Sequence, residues 1–168
     1  MLKVKRAKEL FLIIGPPGTG KTSFGLLNTV KEELLEPNAS ILLLSYTNRA
    51  VDEICSKLAE DGIDFIRIGG EYSCGDNYRG NLLSTRVEQS NNLANLKNDL
   101  LQTKVFVGTT TALNSNIALF QLKHFTLAVI DEASQILEPH LIGLLSAQKD
   151  GTPAIKKFVL IGDHKQLP

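Results

Sequence analysis

Eight residues near the start of the chain have the types and spacing of a phosphate-binding loop. They run from Gly15 to Thr22 and read GPPGTGKT. Glycines let successive backbone N–H groups point at one anion, and a following helix adds the positive end of its dipole. Lys21 is placed to reach the β- and γ-phosphates of a nucleotide, and the Thr22 hydroxyl to complete a Mg²⁺ shell. The predicted nucleotide contacts are Gly15, Pro16, Pro17, Gly18, Thr19, Gly20, Lys21, Thr22 and Ser23.

Two adjacent carboxylates follow an apolar run in the second half of the chain, in LAVIDEASQ. Asp131 is of the type that holds Mg²⁺ through its water shell, and Glu132 of the type that accepts a proton from an attacking water. Two acidic residues also suit the first turn of a helix, where Glu132 would favour the helix dipole. Beside a phosphate loop, the sequence favours the hydrolytic interpretation.

A second apolar run ends in a polar tip at the end of the chain, in KFVLIGDHKQLP. Gln166 is predicted to lie beside the γ-phosphate, where an amide can orient water without adding charge. Asp163 is assigned to the same phosphate, and Gln135 is a second amide placed to do the same. The alternative for each glutamine is an ordinary surface amide.

The elements that must position these groups are short apolar runs alternating with helical stretches. This alternation predicts the α/β fold class, with a parallel sheet whose ligands sit at the carboxyl ends of the strands. A helix is expected from Ser23 to Leu35, and three later apolar stripes at helical spacing are read as core faces. The predicted strands are 10–14, 41–46, 65–68, 104–107, 127–130 and 158–161, and the stripes are Val51, Ile54, Leu58 and Ala59; Leu93, Leu96, Leu100 and Leu101; and Ile136, Leu137, Leu141, Leu144 and Leu145.

One stretch, residues 69–80, is predicted to be irregular, because it reads GGEYSCGDNYRG. Its Tyr72, Tyr78 and Arg79 suit stacking and charge contact with a single strand, although a solvated connection is the favoured interpretation. The segment that follows carries a leucine stripe among asparagines and is read as a helix that projects. Residues 69–103 thus form an irregular loop and a projecting helix within one domain spanning residues 1–168.

Composition sets further bounds. The 168 residues are 43% hydrophobic, which suits one core, and 18 basic residues balance 18 acidic ones. A general excess of positive charge for nucleic acid is absent, so any such site must be local. Cys55 and Cys74 lack disulfide or zinc spacing and are read as reduced thiols of an intracellular, most simply cytoplasmic, protein. No apolar run reaches the length of a membrane span.

Taken in order, five motifs resemble those of superfamily 1 helicases. They are GPPGTGKT, SYTNRAVDEI at 45–54, VGTTTAL at 107–113, VIDEASQ at 129–135 and LIGDHKQLP at 160–168. The similarity is greatest to the branch that contains the nonsense-mediated-decay helicase and the DNA-replication helicase-nuclease. In that family the first and fourth motifs are the Walker A and Walker B motifs of a RecA-like P-loop domain, with ATP and Mg²⁺ as cofactors.

The resemblance implies that Thr47, Asn48 and Thr109 touch the phosphates of single-stranded DNA or RNA. It also implies movement in the 5′ to 3′ direction, driven by ATP hydrolysis. Short hydroxyl and amide groups suit a backbone that is released at every step. For Asn48, the N-cap of a helix is an equally good interpretation.

Two departures from the family pattern accompany these matches. Only fourteen residues precede Gly15 and none is a glutamine, so the family's base-reading glutamine motif is not matched. The second RecA-like domain, which supplies an arginine finger, is also absent from the sequence, so the chain is expected to be a fragment with weak activity of its own. A non-catalytic nucleotide-gated module and a small-molecule kinase are the alternative functions.

Overall fold

The fold, seen in a computed structural model, is built on a six-stranded sheet whose neighbouring strands all run parallel. The structure describes residues 2–16 and 18–163. The strand order is β1-β8-β5-β2-β4-β3, and β6 and β7 pair in a separate antiparallel ribbon. The strands are β1 Leu10–Ile14, β2 Ile41–Ser45, β3 Ile66–Ile68, β4 Val105–Thr109, β5 Leu127–Ile130, β6 Gln148–Lys149, β7 Thr152–Pro153 and β8 Phe158–Gly162.

The predicted strands are confirmed. β1 and β5 have the predicted bounds, and the others differ by one or two residues. The apolar runs of β2, β3, β4 and β5 are continuous because these strands are buried on both faces. In β2, for example, Ile41 and Leu43 enter one core cluster, and Leu42 and Leu44 enter the other. The α/β fold class with a parallel sheet is therefore confirmed, and the described parts of the candidate motifs lie at the carboxyl ends of its strands.

Helices follow most strands. The one expected from Ser23 begins earlier, as a π-helical segment at Lys21–Leu26, and continues as an α-helix to Leu34. The helix expected from Ile136 begins only at Glu138, with Pro139 in its first turn. The α-helices are α1 Leu2–Arg6, α2 Leu27–Leu34, α3 Asn48–Glu60, α4 Leu83–Gln89, α5 Leu93–Gln102, α6 Thr110–Asn114, α7 Leu119–Leu122 and α8 Glu138–Leu145.

The three leucine-rich stripes differ in burial. Val51, Ile54 and Leu58 of α3 are fully buried, but Ala59 is exposed. In α5 no residue is buried and Leu93 is largely exposed, as expected of a projecting helix, although Leu100 packs against a core cluster. In the third stripe Ile136 and Leu144 are buried, whereas Leu137 and Leu145 are about half exposed. Helical periodicity marks an amphipathic segment, but only the neighbouring elements decide whether its apolar side is covered.

Residues 69–80 are more regular than predicted. They contain two 3₁₀ segments, Glu71–Ser73 and Asp76–Asn81. Arg67 of β3, only 1% exposed, contacts this stretch from the sheet. Its Nη2 atom donates to the carbonyl of Ser73 at 2.7 Å and lies 3.0 Å from Oδ1 of Asp52 on α3. A buried guanidinium thus ties this stretch to the helix that follows β2.

Candidate functional site

The phosphate loop leaves β1 and is shaped by two residues in the left-handed region. Gly18 and Gly20 both have φ of 75°, a conformation in which glycine has no steric cost. The Thr19 hydroxyl donates to the carbonyl of Pro16 at 2.8 Å, and the N–H of Gly15 donates to the carbonyl of Gly162 on β8 at 3.2 Å. The loop is therefore fixed to itself and to the neighbouring strand.

The loop passes directly into a helix, as the sequence predicts. Gly20 is the N-cap residue, and its carbonyl accepts from the N–H groups of Phe24 and Gly25 at 2.7 and 3.3 Å. The second of these bonds has the spacing of a π-turn, a feature that is frequent at functional sites. Pro17 lies outside the described residues, as do the side chains of Lys21, Thr22 and Ser23, so their contacts remain predictions.

The two carboxylates lie at the end of β5 and have different surroundings. Asp131 is buried, its N–H donates to the carbonyl of Leu44 at 2.8 Å, and its Oδ1 accepts from the N–H of Glu132 at 3.0 Å. Glu132 has φ of 54° and ψ of 33°, which is uncommon for a residue with a side chain. The two adjacent carboxylates thus differ in backbone conformation and in burial.

The local charges and burial make Glu132 a stronger base than an ordinary glutamate. Burial raises the pKa of its carboxyl, and the charge of Asp131 raises it further. A hydrogen bond from the Ser45 hydroxyl, at 3.4 Å, acts in the opposite direction. The group thus has a greater affinity for a proton than usual, which suits the role predicted for it.

The turn after Glu132 packs against the end of β8. Ala133–Gln135 form a 3₁₀ segment, and the N–H of Asp163 donates to the Ser134 hydroxyl at 3.3 Å. Asp163 is buried and Gln135 is partly exposed. The structure therefore brings Asp131, Glu132, Gln135 and Asp163 to adjacent strand ends, whereas Gln166 lies outside the described residues.

The residues assigned to a nucleic-acid strand lie at the ends of β2 and β4. Thr47 is the N-cap of α3, with its hydroxyl oxygen accepting from the N–H of Ala50 at 3.2 Å. The N-cap interpretation of Asn48 is therefore wrong, because Asn48 is already the first helical residue. Thr109 likewise caps α6, accepting from the N–H of Ala112 at 3.0 Å. Ser45 pairs with Thr109 in the β2–β4 register, so the two caps belong to neighbouring strand ends.

The aromatic and basic residues of the 69–80 stretch are not equivalent. Tyr72 is fully exposed. The ring of Tyr78 is 6.4 Å from that of Phe65, and it packs against the core. Arg79 lies 2.8 Å from Asp76 and 3.9 Å from Glu71, so two carboxylates already offset its charge. Tyr72 is thus the member of this group best placed for a stacking contact.

Two serines contribute to the site that the sequence did not single out. Ser45 contacts Glu132, and Ser134 contacts Asp163. Both lie inside motifs that the sequence did mark, so their position beside strand ends was the available signal. The role of a serine at the end of a strand can be inferred only when the residue that it contacts in space is known.

Three other observations concern the described part of the chain. It contains no cluster of three or more His, Cys, Asp and Glu side chains arranged to hold a metal ion. Cys55 and Cys74 are free thiols, as predicted, and both are buried. None of the described helices has the length and apolar character needed to cross a membrane.

Comparison with known proteins identifies the family. The profile of the AAA domain family matches residues 2–168. All of the chain aligns with the DNA replication ATP-dependent helicase/nuclease JHS1 of Arabidopsis thaliana, at 41% identity over 169 residues and 12% of that protein. All of it also aligns with DNA2 of Homo sapiens, described by the same activity, at 35% identity over 170 residues and 15% of that protein. The chain thus spans a small part of these relatives.

Solved structures agree with the fold. The UvsW helicase from bacteriophage T4 superposes with a TM-score of 0.59 at 16% identity, over 92% of this chain and 47% of that one. The Hef helicase domain of Pyrococcus furiosus gives 0.56 at 14% identity, over 86% of this chain and 26% of that one. Together with the five sequence motifs, these matches lead to one assignment. The chain belongs to the AAA domain family, and over its whole length it is similar to the corresponding part of DNA replication ATP-dependent helicase/nucleases.

Proposed function

We propose that this chain binds ATP with Mg²⁺ and hydrolyses it to drive movement of its parent protein along single-stranded DNA or RNA, in the 5′ to 3′ direction. The observation that carries the proposal is the convergence of the phosphate loop and the Asp131–Glu132 pair at one edge of the sheet. β8 joins them, since Gly162 accepts from Gly15 and Asp163 donates to Ser134.

The phosphate loop holds the nucleotide. Backbone N–H groups of the loop and of the following helical turn surround the phosphates, and Lys21 neutralises part of their charge. The left-handed Gly18 and Gly20 support this role, because they give the loop the curvature of an anion nest. ATP-dependent relatives that align with the whole chain support ATP as the nucleotide.

The buried Asp131 carboxylate fits Mg²⁺, which in nucleotide sites takes one or two carboxylates, phosphate oxygens and waters rather than an all-protein cage. Thr22 is the second proposed ligand. Bound there, the ion would neutralise charge that develops between the β- and γ-phosphates. Glu132 accepts the proton of the attacking water, and Gln135, Asp163 and Gln166 contact the γ-phosphate.

Strand binding is assigned to the caps of α3 and α6. The oxygens of Thr47 and Thr109 are occupied as acceptors, but each hydroxyl retains a proton that it can donate to a phosphate oxygen. Asn48, the exposed first residue of α3, adds an amide. These neutral contacts hold a backbone without reading its bases. A second RecA-like domain of the parent supplies the arginine finger, whose contribution to the rate is about 10³ to 10⁵.

The phosphate loop is tested by calorimetry of ATP–Mg²⁺ binding to this chain. Lys21→Ala should abolish measurable binding, and Lys97→Ala, an exposed lysine on α5, should leave it unchanged. Equal affinities of wild type and Lys21→Ala would refute the assignment of the loop.

Hydrolysis is tested in the intact parent, with turnover measured alone and with oligo(dT) or oligo(U). Glu132→Gln should bind ATP but stop turnover, whereas Glu88→Gln, an exposed glutamate on α4, should behave as wild type. A non-catalytic module would show no turnover in any variant. If neither strand raises wild-type turnover, the motor function is wrong.

A further inference from the structure

Ser45 connects the two halves of the site. It is the last residue of β2 and is fully buried. Its hydroxyl donates to Oε2 of Glu132, at the end of the neighbouring strand β5, over 3.4 Å. Ser45 also lies two residues before Thr47. Only one residue therefore separates the residue that contacts the proposed base, Glu132, from the residue proposed to contact the nucleic acid.

The Ser45 contact is weak enough to be changed by a small movement. Hydroxyl-to-carboxylate hydrogen bonds are usually about 2.5 to 3.0 Å long, so the distance to Glu132 is at the long limit. A shift of the chain of less than about 1 Å would therefore shorten the bond to full strength or break it. Glu132 itself lies in the left-handed region, with φ of 54° and ψ of 33°.

The chain between Ser45 and α3 transmits such a shift. Thr47 is anchored to α3 by its cap bond to Ala50, so a phosphate that pulls on Thr47 displaces the start of the helix and the end of β2 together. The same helix presents Glu53, whose charge acts on the Glu132 carboxyl by repulsion. The proposed base thus meets a hydroxyl donor at the end of β2 and a like charge on α3, the helix that follows it.

We propose that Ser45 is a positioning residue that couples strand binding at the start of α3 to the orientation of the Glu132 carboxylate. The proposal rests on the proposed function, since it takes Glu132 as the base and Thr47 as a strand contact. It assigns to Ser45 a role in how strongly the strand stimulates hydrolysis, and none in binding ATP or the strand. By thermodynamic linkage, the nucleotide should in turn change the affinity for the strand through the same contact.

The experiment compares ATP turnover of the intact parent with and without a saturating oligonucleotide that stimulates the wild type. Ser45→Ala and the nearly isosteric Ser45→Cys, a weak donor, should each lower the ratio of stimulated to unstimulated kcat by about fivefold or more, the lower end of typical coupling between sites. KM for ATP and Kd for the oligonucleotide should stay within about twofold. Ser45→Thr retains the hydroxyl and should restore the ratio.

Ser40 provides a matched control. It is a buried serine that directly precedes β2, whereas Ser45 is the last residue of that strand, so the two lie at opposite ends of β2. Ser40→Ala should leave the ratio unchanged. A ratio that is unchanged in both Ser45→Ala and Ser45→Cys overturns the coupling role alone. If Ser45→Thr or Ser40→Ala lowers the ratio of stimulated to unstimulated kcat as much as Ser45→Ala does, the effect is a general structural one and the coupling role is overturned. If no oligonucleotide stimulates the wild type, the proposed function itself fails, and this inference with it.

Discussion

Asp52 and Arg67 should respond very differently to substitution, although they form one ion pair. Arg67 is 1% exposed, whereas the side chain of Asp52 is 30% exposed. Nη2 of Arg67 contacts Asp52 and Ser73, but Nε and Nη1 have no hydrogen-bond partner among the described residues. The perturbations to compare are Asp52→Asn, which leaves a buried guanidinium without its counter-ion, and Arg67→Met, which removes the charge and keeps most of the volume.

The magnitudes follow from burial. Breaking a fully buried pair by removing one partner costs about 3 to 5 kcal/mol, and the partial exposure of Asp52 lowers this to about 2 kcal/mol for Asp52→Asn. Arg67→Met loses a charged hydrogen bond worth about 1.5 to 3 kcal/mol and leaves Oδ1 of Asp52 and the carbonyl of Ser73 without this donor, but it also removes two unsatisfied donors that cost about 1 to 3 kcal/mol each. We therefore expect Arg67→Met to lie within about 1 kcal/mol of wild type.

Urea unfolding followed by circular dichroism measures these differences as changes in midpoint at constant slope. The double variant should be as stable as Arg67→Met, because without Arg67 the Asp52→Asn change no longer leaves a buried cation without its counter-ion. Glu53→Gln, which breaks the exposed Arg49–Glu53 pair on the same helix, is the control and should change stability by less than about 0.5 kcal/mol. An Arg67→Met variant that is less stable than Asp52→Asn would refute the reasoning.

Two further predictions concern stability. Burial lowers the pKa of Lys123, the residue that follows α7, from 10.5 to about 8 and raises that of Cys55 from 9.0 to about 12. Above pH 8, Lys123 keeps its proton in the unfolded chain but loses it in the folded one, so the free energy of unfolding should rise from pH 8 to 9. Above pH 9, the Cys55 thiol loses its proton in the unfolded chain but keeps it in the folded one, so the free energy of unfolding should level or fall. Urea titrations at these pH values should show no rise in Lys123→Met and a longer rise in Cys55→Ala; an equal rise in Lys123→Met would contradict the assignment. Thr109→Ala removes the N-cap bond of α6 and should cost about 1 kcal/mol in the same assay, with Thr109→Ser close to wild type. A fully stable Thr109→Ala would show that the cap contributes nothing.

Much of the fold could be predicted because strands β2 to β5 are buried on both faces. Such strands appear in the sequence as unbroken apolar runs ended by glycine or a polar residue, and the bounds of β5 were predictable to the residue. The apolar run of β1 was equally clear, although its alternate side chains are more than half exposed. The candidate site followed from the same geometry, since parallel strands bring their carboxyl ends to one edge. Asp131, Glu132 and Asp163 lie close together because they follow neighbouring parallel strands that end on the same side of the sheet.

The remainder depended on information that local sequence does not contain. Thr47 and Asn48 are both good capping residues, and only the extended backbone of Thr47, with φ of −112° and ψ of 150°, decides between them. The leucine stripe of α5 has a helical period, but its period does not reveal that none of its leucines is fully buried. The Ser45–Glu132 contact joins residues 87 positions apart, so no pattern near either residue could predict it.

The strand that carries the phosphate loop is also the least protected strand of the sheet. In the described part of the chain β1 pairs only with β8, and its Leu10, Leu12 and Ile14 are each more than half exposed. An exposed apolar edge strand invites pairing with another molecule, so concentrated solutions of this chain should self-associate there first. Because that strand ends in the nucleotide site, the apparent affinity for ATP should vary with protein concentration, and solubility and ligand binding should be measured together.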